Sequence, residues 1–277
     1  MKIFVTGGTG FIGTHFLQIA SQNHCEITAL CRPESQLFAG ANPETIWWAR
    51  PMDQIDVTDL AGVDVLVHLA SPGVAPKKAS WEELFYWNVT VLLRLMEQAK
   101  LAEVRRIVIA GTFAEYGRSA DLYDFIPCDA PLHPTYAYAA SKAAGCVAAT
   151  AYAIEEKMEL CYLRIFSAYG EGQFEENFWP SLKKAAEEGR DFPMTFGEQV
   201  RDYVPVEQVA LAFLDAGKRD DVIAGIPLIK NVGSGHPISI KDFARHWWKR
   251  WNASGQILFG ALPYRQNEIM RCVAKID

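Results

Sequence analysis

No apolar run in the sequence approaches the ~18 residues that a membrane-spanning helix needs, so no membrane association is expected. Cys25, Cys31, Cys128, Cys146, Cys161 and Cys272 are scattered with no CxxC pair. In a chain of 277 residues that pattern predicts reduced, cytoplasmic thiols and no structural zinc site, and no metal is expected. Positive charge is in short supply. The chain carries 27 Lys+Arg against 33 Asp+Glu, a net charge of −6, so a broad nucleic-acid footprint is excluded while a local basic pocket for a phosphate is not. The chain opens Met1-Lys2-Ile3-Phe4-Val5 and meets glycine at Gly7, too early for a secretory apolar core. Internal repeats and low-complexity tracts are missing. What is present is a composition that is 50% apolar and 22% charged, which rules out disordered, collagen-like and coiled-coil chains.

The first half alternates short β-branched runs with helix-length segments. Strands are expected at Lys2 to Thr6, Glu26 to Leu30, Ile46 to Ala49, Val63 to Leu69, Arg106 to Ala110 and Leu160 to Ile165. Helices are expected at Phe11 to Ser21, Ser80 to Ala99 and Ala137 to Lys157. Such alternation implies βαβ units, hence an α/β fold with a doubly wound parallel sheet of the Rossmann type. Beyond Ile165 short helices (Phe178 to Glu188, Val206 to Ala216, Ile240 to Trp251) and brief strands lie between Gly/Pro-containing loops. The expected division is a dinucleotide-binding domain over 1–166 and a smaller C-terminal α/β substrate-binding domain over 167–277, with the chain free to cross between them.

Gly7-Gly8-Thr9-Gly10-Phe11-Ile12-Gly13 directly follows the first strand and opens the first helix. Glycines at 7, 10 and 13 allow a tight turn, close approach of a pyrophosphate to the backbone, and close helix–strand packing. The helix start at Phe11 and Ile12 then offers free N–H groups and a partial positive charge. The spacing therefore predicts a dinucleotide cofactor. NAD sites commonly close the second strand with Asp or Glu, which repels a 2′-phosphate. This chain has Cys31 there and Arg32 beside it, so NADP(H) is the expected cofactor, through an Arg32–phosphate contact, with NAD(H) as the alternative.

Tyr138-Ala139-Ala140-Ser141-Lys142 stacks Tyr138 and Lys142 on one helix face, where an ammonium would lower the phenol pKa from ~10 toward neutrality. Thr112 closes the fifth strand, where a hydroxyl can reach a substrate oxygen. With Asp56-Val57, His68-Leu69-Ala70, Asn88, Leu163-Arg164-Ile165-Phe166, Tyr169-Gly170, Asn177 and Arg201-Asp202-Tyr203-Val204, the chain resembles the extended short-chain dehydrogenase/reductases. These are the nucleotide-sugar epimerases, dehydratases and reductases, and the likeness runs nearly end to end.

The resemblance implies Thr112, Tyr138 and Lys142 as the catalytic set. It places Asp56 and Val57 along the adenine, Leu69, Ala70 and Phe166 beside the cofactor, and Asn88 near the active site. Thr112, Asn177 and Arg201 would meet the nucleotide-diphosphate sugar. Family dimers use the helices around Trp87 to Glu97 and Ala139 to Ala153, so a homodimer is expected. Departures from the family pattern are Ser167, Pro205 and Gln208, and an end at Ala274-Lys275-Ile276-Asp277 where relatives usually continue.

Within that family the residues after Thr112 separate the reactions. Phe113-Ala114 replace the Asp-Glu of 4,6-dehydratases, and Ala114 stands where epimerases acting at C3 or C5 usually carry cysteine. Hydride transfer at C4 remains. Cys31-Arg32 and the Phe259 to Arg265 segment favour an NADPH-dependent reductase of a 4-keto-6-deoxyhexose, with an NAD-dependent 4-epimerase and a non-catalytic NADP-binding regulator as alternatives. The His246-Trp247-Trp248-Lys249-Arg250-Trp251 run is expected to be the buried face of an amphipathic helix with Phe243, not a nucleic-acid patch.

Overall fold

Strands covered on both faces need apolar side chains at every position, and Val65-Leu66-Val67 has them. The computed structural model describes residues 1–33, 44–74, 79–266 and 268–276. Its first elements are β1 (Lys2–Thr6), α1 (Phe11–Gln22), β2 (Glu26–Cys31), β3 (Ile46–Ala49), β4 (Val65–His68), α2 (Trp81–Phe85), α3 (Leu92–Leu101) and β5 (Arg106–Thr112). Next come α4 (Ala137–Glu155), β6 (Glu159–Ile165), β7 (Ser167–Tyr169), α5 (Phe178–Glu187), β8 (Phe192–Met194), β9 (Val200–Pro205) and α6 (Val206–Lys218). The last are β10 (Leu228–Val232), β11 (Pro237–Ser239), α7 (Ile240–Arg250), β12 (Ile257–Phe259) and β13 (Arg271–Cys272).

The main sheet has the order β10-β6-β5-β4-β1-β2-β3, all parallel. Period-two alternation splits the core: Ile3 and Val5 pack with Phe16, Leu17 and Phe213 on one face, while Phe4 packs with Leu66, Leu95 and Met96 on the other. Strand order reverses at β1, with β2 on one side and β4 on the other. A crevice therefore opens at the carboxyl ends of β1 and β4, the place where open α/β sheets take ligands.

The helix expected from Ser80 to Ala99 is interrupted. Ser80 caps α2 by accepting from Glu83 N at 3.1 Å, and a π-helical turn over Tyr86–Val91 then separates α2 from α3. Packing against α4 explains the interruption. Asn88 Nδ2 donates to Ser141 Oγ at 2.9 Å, and a Cβ on Gly145 would stand 2.4 Å from the Asn88 carbonyl oxygen. Such one-turn widenings often sit at functional sites.

The smaller unit is laid over the carboxyl ends of the sheet's strands. Its sheet joins β9 to β7, β11 and β13, and β8 pairs with β12. Tyr203 stacks on Phe243 with centroids 3.7 Å apart, and Tyr169, Trp179, Trp247 and Trp251 pack around them. The aromatics of α7 thus serve the interior. Asp202 is wholly buried and accepts from Ser234 N, Ser234 Oγ, Gly235 N and Ala274 N, which ties β9 to the C-terminal segment. The chain crosses back, because β10 lies beside β6 in the main sheet and α6 packs on α1. No helix among the described residues is long and apolar enough to cross a membrane.

Candidate active site

The glycine loop is built by close backbone approaches. Gly7 has φ +80°, and a Cβ there would stand 2.6 Å from Ala70 N. A Cβ on Gly13 would come 2.1 Å from Gly7 O, so the helix can start only on glycine. Gly10 caps α1 without any side-chain hydrogen bond, and the first turn carries no acid. The N–H groups of that turn are left for an outside anion, which is what a dinucleotide pyrophosphate requires. Leu69 and Ala70 border the same loop: Leu69 N donates to Thr6 O at 3.0 Å. Phe166 is placed differently, with its ring buried against Phe113 and Tyr116.

Thr112 ends β5 and Tyr138 opens α4, and the Tyr138 hydroxyl lies within hydrogen-bonding reach of the Ser71 and Thr112 side chains. Ser71 Oγ donates to Asn88 Oδ1 at 2.8 Å, and Ser141 Oγ donates to Tyr138 O at 2.9 Å. One chain of hydrogen bonds therefore joins the π-helical turn to α4 and the tyrosine. Lys142 is buried and its ammonium donates to Ala110 O at 2.6 Å.

Burial is the main cause of every pKa displacement here. It raises the Tyr138 phenol well above the ordinary tyrosine value; Glu115 and Tyr136 add to this, and Ser71 and Thr112 oppose it. It lowers Lys142, against the opposing influence of Glu115. His68, with Thr6 Oγ1 2.7 Å from its Nδ1, is pushed down to about 3 by burial and then by Lys142. The expectation that Lys142 lowers Tyr138 is not met: burial raises the phenol, and the groups that oppose the rise are Ser71 and Thr112.

Two members of this cluster escaped sequence reasoning. One is Ser71. The other is Glu115, fully buried, accepting from Thr112 N at 2.8 Å, Tyr162 Oη at 2.8 Å and Arg164 Nε at 2.7 Å. A carboxylate between Ala114 and Tyr116, just past an apolar strand, was the available signal.

The remaining candidates make their contacts elsewhere in the chain. Asp56 is exposed, and its carboxyl is held below the usual range by hydrogen bonds from Thr58; Val57 is exposed beside it. Asn177 is the N-cap of α5 and makes no side-chain capping bond. Arg201, on β9, donates to Glu268 Oε1 at 2.8 Å and to Val200 O at 3.1 Å.

Residues 3–230 match the NAD dependent epimerase/dehydratase family, and the chain belongs to it. It is an NAD(P)-dependent enzyme of the extended short-chain dehydrogenase/reductase type. A UDP-glucose 4-epimerase of Corynebacterium glutamicum is 27% identical over 267 residues, covering 87% of this chain and 78% of that protein. CDP-abequose synthase of Salmonella muenchen is 26% identical over 272 residues, 97% of this chain and 87% of its own. The solved structure of MoeE5 with UDP-glucose and NAD superposes with a TM-score of 0.85 at 26% identity, covering all of this chain and 90% of the other.

These findings correct two expectations. Solved relatives described with a dinucleotide hold NAD, so NADP(H) is not the cofactor indicated. The structure gives the physical reason. Cys31 is only 7% exposed and its thiol is raised by burial, while Arg32 is exposed at the strand end. Arg50, closing the neighbouring strand, is taken by Asp59 at 2.8 and 2.7 Å. Lacking an acid at this point removes a repulsion but is not in itself a phosphate site. The NADPH-dependent 4-ketoreductase reading, which rested on Cys31-Arg32 and on the Phe259 to Arg265 segment, falls as well, the 4-epimerases among the relatives favouring the alternative.

Proposed function

We propose that this protein is an NAD-dependent nucleotide-sugar 4-epimerase, with 1–166 holding the cofactor and 167–277 contributing most of the sugar-nucleotide site. The observation that carries this reading is a single proton-exchanging group, Tyr138, beside Thr112 and Ser71, with Phe113 and Ala114 supplying no second acid or base. Inverting one hydroxyl-bearing carbon needs only one such group; eliminating water needs two.

NAD, when bound, accepts a hydride and returns it, so no net redox change results. The residues that would hold it are Gly7, Gly10, Phe11, Ile12, Gly13, Asp56, Val57, Leu69, Ala70, Asn88, Tyr138 and Lys142. Tyr138 takes the proton of the C4 hydroxyl as that carbon is oxidised and gives it back to the opposite face's alkoxide. Thr112 hydrogen-bonds the same oxygen, and the Lys142 ammonium favours Tyr138 while it lacks its proton. Arg201 would exchange Glu268 for the sugar-nucleotide diphosphate, and Asn177 would meet it at the start of α5.

We also infer a homodimer through α3 and α4, supported by the exposed Leu101, Val147 and Ile154, and a reducing, cytoplasmic setting, supported by six free cysteines. The test is direct. Purified protein should carry NAD and interconvert UDP-glucose and UDP-galactose, or another C4-epimeric pair, without accumulating NADH. Stoichiometric cofactor consumption by every sugar nucleotide tried would sink the proposal.

A further inference from the structure

Thr112, Tyr138 and Lys142 do not form a self-sufficient cluster: the backbone N of Thr112 is held by a buried carboxylate, Glu115, whose charge also acts on Tyr138 and Lys142. Glu115 folds back at the end of β5 so that Oε1 accepts from Thr112 N at 2.8 Å and from Tyr162 Oη at 2.8 Å. Oε2 pairs with Arg164 Nε at 2.7 Å. Room for this fold-back comes from Gly111, where a Cβ would stand 2.3 Å from the Tyr162 ring and 2.9 Å from Glu115 Oε1. The hydroxyl of Thr112 in turn accepts from Ala114 N at 3.3 Å, so the backbone turn that aims it is closed at both ends.

Charges around the centre are few. His68, from β4, is neutral at ordinary pH because burial holds it down to about 3. Tyr136 and Cys146, both on or next to α4, are neutral phenol and thiol; burial raises both. From β6, Tyr162 is a neutral phenol raised far by burial. Arg164 points to the other side of the carboxylate, where Tyr116 Oη at 3.2 Å, Cys128 O at 2.7 Å and Cys146 Sγ at 3.3 Å receive its guanidinium. The Glu115 carboxylate, paired with Arg164, raises the Tyr138 phenol and opposes the lowering of Lys142.

We infer that Glu115 is a positioning residue of the proton-transfer site: clamped by Tyr162 and Arg164, it aims Thr112 and supplies the negative charge that Lys142 and Tyr138 face. This rests on the proposed epimerase chemistry only for its kinetic consequence. The sign is fixed by electrostatics. A neighbouring anion disfavours phenolate at Tyr138 and favours ammonium at Lys142. Removing it makes Tyr138 easier to deprotonate and Lys142 easier to neutralise, so both limbs of a pH–rate profile move toward acid. A role in stability alone would lower the amplitude and leave both limbs in place.

The test compares the NAD-loaded wild type with Glu115→Gln and Glu115→Asp. Because the Gln amide would face the Arg164 guanidinium donor to donor, the double variant Glu115→Gln/Arg164→Gln is included to restore a neutral pair. Tyr138 is titrated by phenolate difference absorbance against the Tyr138→Phe background, a readout that needs no substrate. Its midpoint should move acidward by about one pH unit in Glu115→Gln, move less in the double variant, which removes both charges of the pair, and stay near wild type in Glu115→Asp, which keeps the charge. With UDP-glucose as probe, kcat should fall ~10–100-fold in the Gln variants with KM little changed, because Thr112 loses its aim at the transition state. An unmoved Tyr138 midpoint in a Glu115→Gln protein that still folds, as judged against the double variant, would overturn the inference. Failure of the wild type to turn over any UDP-hexose would count against the epimerase reading alone, since the titration still decides the role of Glu115.

Discussion

Tyr138 sits where a phenol is hard to ionise, and that cost defines what the residue can do. Burial raises it well above its ordinary value, with Glu115 and Tyr136 adding to the effect. In this state it is a proton donor held ready by Ser71 and Thr112, and its action as a base depends on further positive charge arriving with the cofactor. Tyr138→Phe retains the ring and removes only the proton. Turnover should fall by ~10²–10⁴ while the dissociation constant for NAD stays within a few fold; near-normal kcat in a steady-state assay would remove Tyr138 from the chemistry. At this scale the sequence was informative where spacing encodes geometry. Tyr138 and Lys142, one helical turn apart, and Gly7, Gly10 and Gly13 beside a strand end could be placed from the chain alone. Ser71 and Glu115 were not, because their partners Asn88 and Arg164 lie 17 and 49 residues away; for Glu115 the one local signal was a carboxylate just past an apolar strand. The cofactor expectation failed for another reason: it rested on the acid missing at Cys31 and on Arg32 beside it, and neither of these alone makes a phosphate site.

At the scale of elements, periodicity recovered the strands of the main sheet and most helices, with ends displaced by a residue or two. The short strands of the smaller unit, β7, β8 and β11 to β13, carry too few residues to show a period. The exception among the helices was the segment from Ser80 to Ala99, whose apolar pattern is continuous while its backbone is not. The widening at Tyr86–Val91 is made by packing against α4, so it could be found only with α4 in place. That contact yields a prediction. Gly145→Ala would put a Cβ 2.4 Å from Asn88 O, and the helices must part or the turn must rewind. Overpacking of this kind costs ~1–3 kcal/mol, which denaturant unfolding can measure. Because the shift reaches Asn88 and through it Ser71, kcat should fall more than stability alone explains. A variant with wild-type stability and rate would show that the contact relaxes freely. A second element-scale prediction concerns β9. Arg201→Ala should raise the dissociation constant of a UDP-sugar at least ~10-fold and leave NAD binding nearly unchanged, since a charge-assisted hydrogen bond is worth ~1.5–3 kcal/mol. Isothermal titration with each ligand separates the two, and equal losses would assign Arg201 to folding through its Glu268 pair.

Across the whole molecule, the site is a seam: β1 and β4 meet at the reversal of the sheet, and the elements that close over it come from both halves of the chain. The same seam makes stability depend on pH. His68 ends β4 in the middle of the main sheet, hydrogen-bonded to Thr6 across the β1–β4 pairing and 1% exposed. Its pKa is pushed down to about 3, by burial first and by Lys142 second. An unfolded histidine titrates near ~6.5, so between that value and about 3 the unfolded chain binds a proton that the folded chain refuses. His68 therefore contributes stability that is fully present above pH ~6.5 and is lost as the pH falls, at up to ~1.4 kcal/mol per unit. His68→Gln keeps a polar group that can reach Thr6 and cannot take up a proton. At pH 7.5 the variant should be somewhat less stable than wild type, from imperfect packing. On lowering the pH to about 4.5 the wild type should lose ~2–3 kcal/mol that the variant does not, so their denaturation midpoints converge or cross. Parallel losses in both proteins over this range would mean that His68 accepts its proton in the folded sheet, and the acid sensitivity would then belong to the carboxylates.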